Sequence, residues 1–229
     1  MRIRTTAAVL LAAVLATGCA GGGSAGGGSD TKGRDGASAA ARLPEEPAVA
    51  LGADEVEAAA LSGGDVEGFT ITDYPVKPHG DSTARPPSCQ PLENMRTGAP
   101  DPAPRTLVGR LAYPDSAAAG GSATTIGLMA YDRADAEDVL DGVRAALKRC
   151  TAYEGGVPAR TTATAGAAPD TGDDAVAFSL QTEGHTADAF VIVRSGATVV
   201  LFFTASGTDS PAQVPDALVA EQIKKLEQA

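Results

Sequence analysis

Apolar residues recur at helical spacing between residues 134 and 150. One face of a helix over this segment would carry Val139, Leu140, Val143, Ala146, Leu147 and Cys150. Acidic residues are concentrated early in the segment and basic residues late, which is the arrangement that the helix dipole favours. The pattern therefore predicts an amphipathic helix that packs one side against the body of the domain and ends at Cys150.

Several other segments show the patterns of β-strands. Alternation of apolar and polar residues, or short apolar runs between turn residues, predicts strands over 69–76, 106–113, 123–131, 175–183, 188–196 and 197–206. The last two contain the continuous apolar runs "AFVIV" and "TVVLFF", which indicate central strands covered on both faces. Residues 153–165 fit one further strand with a bulge, and turns are predicted at Gly184 and Gly196.

The remaining segments complete one domain. Helices are predicted over 51–61 and from Pro211 to about Glu227, whereas the proline-rich segment 77–105 has little period and is predicted to be a long loop. Strand and helix do not alternate strictly, so the order of elements favours the α+β class. We therefore expect residues 50–229 to form a single domain, with a mostly antiparallel sheet of about six strands and two to three packed helices.

The first residues carry the pattern of an export signal. Arg2 and Arg4 precede an apolar run over 7–16, which is too short to span a bilayer and has the length of a signal-peptide core. The next residues, "ATGC", resemble a bacterial lipobox, in which small residues precede a cysteine that becomes lipidated. We expect residues 1–18 to be a lipoprotein signal peptide and Cys19 to carry the lipid. The alternative is an ordinary signal peptide with a later cleavage site.

The glycine-rich tract after Cys19 contains two patterns that are associated with catalysis or cofactor binding. "GGSAG" fits the serine-hydrolase elbow, and Gly21, Gly23 and Gly26 fit the dinucleotide-binding loop. Both motifs need a strand before them and a helix after them, and the surrounding Gly, Ser and Ala residues have no such period. Residues 19–49 are therefore predicted to be a flexible linker, with a root-mean-square reach of roughly 30 Å.

The charge limits the classes of partner. The formal net charge is −11, and removal of residues 1–18 would take away two arginines and leave about −13. An acidic surface repels phosphate backbones, so we expect no nucleic-acid partner. Anionic lipid headgroups would be repelled too, which suits a domain that meets the membrane only through a lipid on Cys19. Acidity for solubility alone explains the charge equally well.

Two cysteines remain after Cys19. Cys89 and Cys150 form an even pair, and in an oxidising compartment a disulfide between them is the natural inference. It would close a loop of about sixty residues and contribute on the order of 4 kcal/mol. The alternatives are two free thiols or a bridge between chains. The bridge would pin the proline-rich segment to the end of the helix over 134–150.

No residue pattern predicts catalysis, a metal or a cofactor. The side chains that most often carry such chemistry are isolated or lie in predicted turns: His79, His185, Asp170, Asp173, Asp174, Ser62, Ser88 and Ser122. The histidines lack the spacing of zinc ligands, and the aspartates lack the spacing of a calcium-binding loop. No neighbouring motif marks any of the serines as a nucleophile. We therefore expect a protein that is not an enzyme and needs no cofactor.

Two segments resemble a known family. "LSGGDVEGFTI" is similar to the opening of actinobacterial secreted lipoproteins and sensor domains related to the extracellular part of the mycobacterial kinase PknH. The helix "DAEDVLDGVRAALKRC", with one cysteine in the preceding loop and a second at its end, resembles the same family. The resemblance covers roughly residues 51–228 and implies a compact α/β domain with a cleft that binds an envelope ligand. Family members often carry two disulfides, and this chain can form only one.

These patterns favour a lipid-anchored binding or sensor-like module on the extracytoplasmic face of the cell membrane. Its ligand, a component of the envelope, is not identified by any residue. The alternative is an accessory lipoprotein that docks on a membrane protein complex through its doubly apolar strands. An enzyme is the least favoured class.

Overall fold

The computed structural model describes the carboxy-terminal domain of the chain, with a few short gaps. The described residues are 50–75, 82–116, 122–155, 159–207 and 210–229. The predicted signal peptide, Cys19, the predicted linker and His79 lie outside them.

The described residues form eight strands, four α-helices and one short 3-10 turn over Pro87–Cys89. In chain order the elements are α1 (Ala53–Ala59), β1 (Phe69–Asp73), α2 (Gln90–Thr97), β2 (Thr106–Pro114), β3 (Thr124–Ala130), α3 (Arg133–Arg149), β4 (Ala152–Gly155), β5 (Ala159–Ala165), β6 (Asp174–Thr182), β7 (Asp188–Ser195), β8 (Thr198–Thr204) and α4 (Asp216–Leu226).

All the strands belong to one antiparallel sheet with the order β1-β2-β3-β8-β7-β6-β5-β4. The first three strands form a meander, α3 carries the chain to the opposite edge, and the next five strands return until β8 pairs with β3. Turn glycines at Gly184 and Gly196 have φ of 80° and 59°, as the predicted tight turns require. The predicted α+β class is confirmed.

The sheet has more elements than predicted. The segment 153–165, predicted as one bulged strand, forms the hairpin of β4 and β5, with Ala152 opposite Thr162. The segment predicted as a long loop contains α2. Prolines concealed this helix from the sequence pattern, although Pro91 lies in its first turn, where a missing N–H is tolerated. Gly98 ends the helix in the left-handed conformation, with φ of 67°.

Helices cover both faces of the sheet and define two hydrophobic cores. We call the face under α2 and α3 the first face; its core includes Leu140, Val143, Phe178 and Ile192. The face under α1 and α4 is the second face; its core includes Val56, Val200, Leu218 and Ile223. Strands β7 and β8 contribute buried side chains to both cores, so the prediction that they are covered on both faces is confirmed.

Each pair of helices covers only part of its face. On the first face α3 packs on β5 to β8, so the side over β1 to β3 is left partly open. On the second face α1 packs on β2 and β3, and α4 contacts α1 and β7, so the side over β5 and β6 is left partly open. The candidate sites lie in these two open regions.

Candidate functional site

The predicted disulfide between Cys89 and Cys150 is present. Their Cα atoms are 5.7 Å apart, and both residues are buried. The bridge joins the beginning of α2 to the end of α3, which is how the proline-rich segment is pinned to the domain. It therefore fixes one end of α2 against the first face.

A buried carboxylate fixes the middle of α2. Glu93 is fully buried, and both of its oxygens accept hydrogen bonds from Arg96, at 2.6 and 2.7 Å. The hydroxyls of Ser82 and Tyr153 also donate to this carboxylate, the latter at 3.2 Å. Arg96 donates in addition to Thr182 Oγ1 at 3.2 Å. Both charges of the pair are thus satisfied inside the protein.

The network also keeps the phenol of Tyr153 protonated. Burial raises the pKa of Tyr153, and the charge of Glu93 raises it further. Tyr153 therefore remains a neutral donor to Glu93 at physiological pH. Gly155 lies so close that a Cβ there would come within 2.5 Å of Glu93 Oε2 and 2.6 Å of the Tyr153 ring. The glycine is needed for this close approach.

The carboxy-terminal end of α2 forms one wall of a hollow on the first face. Residues 95–98 provide this wall, and the opposite side is the open part of the sheet. The apolar lining comes from Leu107, Met129, Leu201 and Phe203, with Thr125 and Tyr74 beside them. The volume is about 160 Å³. We refer to this space as the hollow.

The hollow exists because two paired strands carry glycine in the middle. Gly127 lies in the floor, and its partner across the ladder between β2 and β3 is Gly109. The next side chains on the same face, Leu107 and Thr125, stand on either side of this bare patch. A Cβ at Gly127 would meet Leu107 Cδ1 at 3.7 Å, an ordinary contact. Space, and not steric conflict, is what the glycine provides.

Two aromatic side chains, Phe203 and Tyr74, line the hollow. Phe178, Phe190 and Phe203 stack across β6, β7 and β8, with ring centroids 4.8 and 4.9 Å apart. Phe203 is the member of this stack that reaches the lining. Tyr74 and Tyr113 are the exposed large hydrophobic side chains of the described residues, at 40% and 44% exposure. Strand alternation places both tyrosines on the first face. Tyr74 lines the hollow, whereas Tyr113 lies four residues beyond Gly109 on β2, about 13 Å from the glycine floor.

Two further concavities are less suited to a specific ligand. The groove on the second face has a volume of about 540 Å³ and is lined largely by small side chains such as Thr164, Ala177, Ser179 and Ala189. A depression of about 590 Å³ at the β4–β5 edge has a mixed-charge rim that includes Arg85, Glu154 and Arg160. The groove is more than three times as large as the hollow and its lining is more polar, and the rim of the space at the β4–β5 edge is charged. The glycine-floored hollow has the most apolar lining of the three, so it is the best candidate.

Those chemical candidates from the sequence that lie in the described ranges do not form a common site. Asp173 pairs with Arg194 at 2.9 Å and Asp174 pairs with Arg144, while Asp170 and His185 are exposed. The hydroxyl of Ser62 donates a hydrogen bond to the carboxylate of Asp65, and the hydroxyl of Ser122 accepts one from the N–H of Gly207. The hydroxyl of Ser88 lies 3.9 Å from Cys150 Sγ. Within the described ranges no group of three or more His, Cys, Asp or Glu residues could hold a metal ion.

The sequence patterns predict no ligand-binding residue and did not reveal the hollow. The available signal was a glycine inside each of two predicted strands, at 109 and 127. A glycine in a strand interior often marks close approach of a ligand or of another backbone. The register that places the two glycines opposite each other is a tertiary feature, and it cannot be read from either strand alone.

Comparison with solved structures identifies the fold. The extracellular domain of PknH from Mycobacterium tuberculosis matches with a TM-score of 0.56 and 11% identity, over 80% of this chain and 100% of that chain. A putative uncharacterized protein from Mycobacterium smegmatis, the Rv0999 ortholog, matches with a TM-score of 0.36 and 15% identity, over 71% of this chain and 87% of that one. No protein-family model and no curated protein matches the chain.

The match to the PknH domain concerns the fold. At 11% identity it carries no information about a shared ligand, but it confirms the structural relationship that the sequence resemblance predicted. None of the helices in the described ranges has the length and apolar character that a bilayer crossing requires.

Proposed function

We propose that this protein is an extracytoplasmic, sensor-like binding module that is anchored to the cell membrane through a lipid on Cys19. Its ligand, a component of the envelope, would insert a group into the hollow. The observation that carries the proposal is the hollow itself, a preformed apolar depression beside the exposed ring of Tyr74. Its volume of about 160 Å³ is below that of a typical ligand pocket, so it fits part of a ligand.

Three observations support the proposed location. The sequence before Cys19 has the pattern of a lipoprotein signal, and a disulfide is typical of oxidising compartments. The fold is similar to that of a domain described as extracellular. A glycine-rich tether between Cys19 and the domain would keep the acidic domain away from anionic headgroups.

Native mass spectrometry of residues 46–229, incubated with envelope extract, tests the binding site. This segment is suitable because both cores and the whole sheet lie within it, and the PknH domain of the same fold crystallised as a separate domain. Gly127→Val fills the hollow with a residue that strands favour. We expect a small-mass adduct on the unsubstituted segment and none on Gly127→Val.

A matched variant on the other open region controls for non-specific effects. Ala189→Val adds bulk to the groove on the second face, so it should retain the adduct. An adduct that survives Gly127→Val and is lost with Ala189→Val would place the site in the groove and contradict the proposal.

Anchoring is tested separately. In the full chain, Cys19→Ala removes the predicted site of lipidation. We expect the mass of one lipidated cysteine on the unsubstituted protein from membranes and no lipid mass on Cys19→Ala. A mature protein that begins after residue 19 and carries no lipid would indicate the alternative, an ordinary signal peptide.

The alternative function, docking on a membrane protein complex, has lost its original support. It depended on the doubly apolar runs in β7 and β8, and the chain's own helices and neighbouring strands bury these side chains. Val193, Val200 and Phe202 are fully buried in the second-face core, for example. They therefore need no partner protein to explain them.

A further inference from the structure

We propose that the hollow selects an uncharged amphiphile. An alkyl or aryl group would occupy the glycine floor, and a hydroxyl-bearing portion would lie over Tyr74 and extend along the first face toward Tyr113. This inference rests on the proposed function, because it specifies the chemical class of ligand for the same site. The charge of the lining, the size of the hollow and the surface beside it all favour this class of ligand.

The described part of the hollow's lining has no unpaired charge with which a ligand could interact. Arg96 is the charged side chain among the described residues that line the hollow. Its guanidinium already binds both oxygens of Glu93. A ligand anion that took Arg96 away would leave a fully buried carboxylate without its cation, which is strongly unfavourable. The ion pair therefore acts as a neutral wall.

Anionic and cationic ligands are both disfavoured at this site. An anion also meets the net charge of −11, which repels it at a distance. A cation is attracted by that field, but the described lining contains no carboxylate to receive it. Removing a charge from water without a partner is costly, so insertion of a charged group is disfavoured for either sign.

The volume of the hollow limits the size of the group that can enter it. A volume of about 160 Å³ is close to the roughly 150 Å³ of an engineered apolar cavity that binds benzene. A ring or a short stretch of alkyl chain fills such a space. Leu107, Met129, Leu201 and Phe203 would surround this group with apolar contacts.

The surface of the first face beside the hollow carries aromatic rings with polar tips. Tyr74 and Tyr113 expose large parts of their rings and carry hydroxyls that both donate and accept hydrogen bonds. An aromatic ring with a polar tip suits the boundary between an apolar group and a hydrated one. A ligand that is apolar at one end and rich in hydroxyls at the other matches this order of surfaces.

A series of probes with one alkyl chain and three headgroups tests the class. Octyl glucoside, octyl sulfate and octyltrimethylammonium are titrated, below their micelle concentrations, into residues 46–229 at physiological ionic strength. The Debye length is then about 8 Å, so long-range attraction and repulsion are largely screened. We expect octyl glucoside to bind about tenfold more tightly than either charged probe, and glucose alone not to bind.

Variants separate failure of the class from failure of the site. Gly127→Val should abolish binding of octyl glucoside, Gly127→Ala should weaken it by a smaller factor, and Ala189→Val should leave it unchanged. Thermal melting of each variant verifies that it is folded. If a charged probe binds most tightly and Gly127→Val abolishes that binding, the site stands and the inference about an uncharged ligand is overturned. If no probe binds, or binding survives in folded Gly127→Val, the hollow is not the binding site and both proposals fail.

Discussion

The two short helices beside the open regions of the sheet, α2 on the first face and α4 on the second, are held by different interactions. α2 has 8 residues and buries two apolar side chains, Leu92 and Met95. α4 has 11 residues and buries four, Leu218, Val219, Ile223 and Leu226. Because a fully buried apolar side chain of this size contributes roughly 1.5–3 kcal/mol, packing holds α2 about half as strongly as α4.

The covalent and polar interactions that hold the two helices are stronger for α2 than for α4. α2 is joined to α3 by a disulfide and contains the buried pair of Glu93 and Arg96. α4 relies on the side chain of Gln222, which pairs with the backbone of Ala59 and Leu61, and on Lys225. The helix with less apolar area thus carries the covalent link and the buried charges. Since α2 also forms a wall of the hollow, these interactions hold the candidate site in shape.

The largest effect is expected from removing the bridge. The double substitution Cys89→Ser and Cys150→Ser releases a cross-link between residues 61 positions apart. The free energy of unfolding should fall by about 4 kcal/mol, because the unfolded chain regains its loop entropy. Denaturant titration of residues 46–229 measures the change.

Reduction of the unsubstituted segment serves as the control, since it should reproduce the loss without any change of sequence. The affinity for octyl glucoside should fall in parallel, because α2 forms a wall of the hollow. A loss below about 1 kcal/mol would contradict the comparison and show that packing alone suffices for α2.

The second prediction concerns the buried ion pair. Arg96→Met leaves the fully buried carboxylate of Glu93 without its cation. Breaking a buried pair in this way is typically destabilising by 3–5 kcal/mol, and we expect about 3 kcal/mol because Arg96 is 20% exposed. Urea denaturation at neutral pH measures the loss.

A double variant shows whether the loss comes from the isolated charge. Glu93→Gln combined with Arg96→Met removes both charges and keeps an amide that can accept from Tyr153. It should be more stable than Arg96→Met alone. Equal stability of the single and double variants would mean that lost contacts of Arg96, and not an unpaired charge, are responsible.

Local patterns in the sequence predicted the regular parts of the fold and missed the irregular ones. The apolar face of α3 and the runs in β7 and β8 repeat over many residues, so their period identified them. α2 has only eight residues and a proline in its first turn, and composition alone made it look like a loop. The hairpin of β4 and β5 was missed because its two short strands were merged into one.

The candidate site was less predictable than the fold. Cys89 and Cys150 could be paired because counting leaves few alternatives. Glu93, Arg96 and Tyr153 meet across 60 residues of chain, and nothing in their local surroundings indicates a buried network. The hollow depends on a register that pairs Gly109 with Gly127. Such features follow from tertiary packing, which a single sequence does not specify locally.

The third prediction tests the hydrogen bonds that join α4 to α1. Gln222 is fully buried; it donates to the carbonyl of Ala59 at 2.8 Å and accepts from the N–H of Leu61 at 3.0 Å. Gln222→Leu leaves both backbone groups without these partners, so we expect a loss of about 2 kcal/mol. Gln228→Leu, an exposed position near the end of the chain, should change stability by less than about 0.5 kcal/mol.

Binding separates the two faces in the same experiment. Because Gln222 belongs to α4, which covers the second face, the folded Gln222→Leu variant should keep its affinity for octyl glucoside. Loss of affinity together with stability would mean that the two faces do not act independently.

The smallest effect concerns pH and the contact between Asp65 and Lys225 on the second face. Lys225 Nζ donates to Asp65 Oδ2 at 2.7 Å. This hydrogen bond lowers the pKa of Asp65 from its ordinary value of 3.8; partial burial opposes the shift, and donors from Ser62 assist it. A carboxyl group whose pKa is lower in the folded state stabilises the protein above its unfolded pKa. That contribution is lost as the pH falls through the folded value.

Asp65→Asn should therefore be less stable than the unsubstituted segment at pH 7. The difference should begin to shrink below the ordinary pKa of 3.8 and should vanish once the pH is below the lowered folded pKa. The difference should also shrink at high salt, because the pair is partly exposed. It should be smaller than that of Gln222→Leu, since surface ion pairs contribute little. Chemical denaturation across this pH range measures the difference. A gap that widens on acidification would require a raised pKa for Asp65 and would contradict the assigned role of Lys225 in holding α4 against the turn after α1.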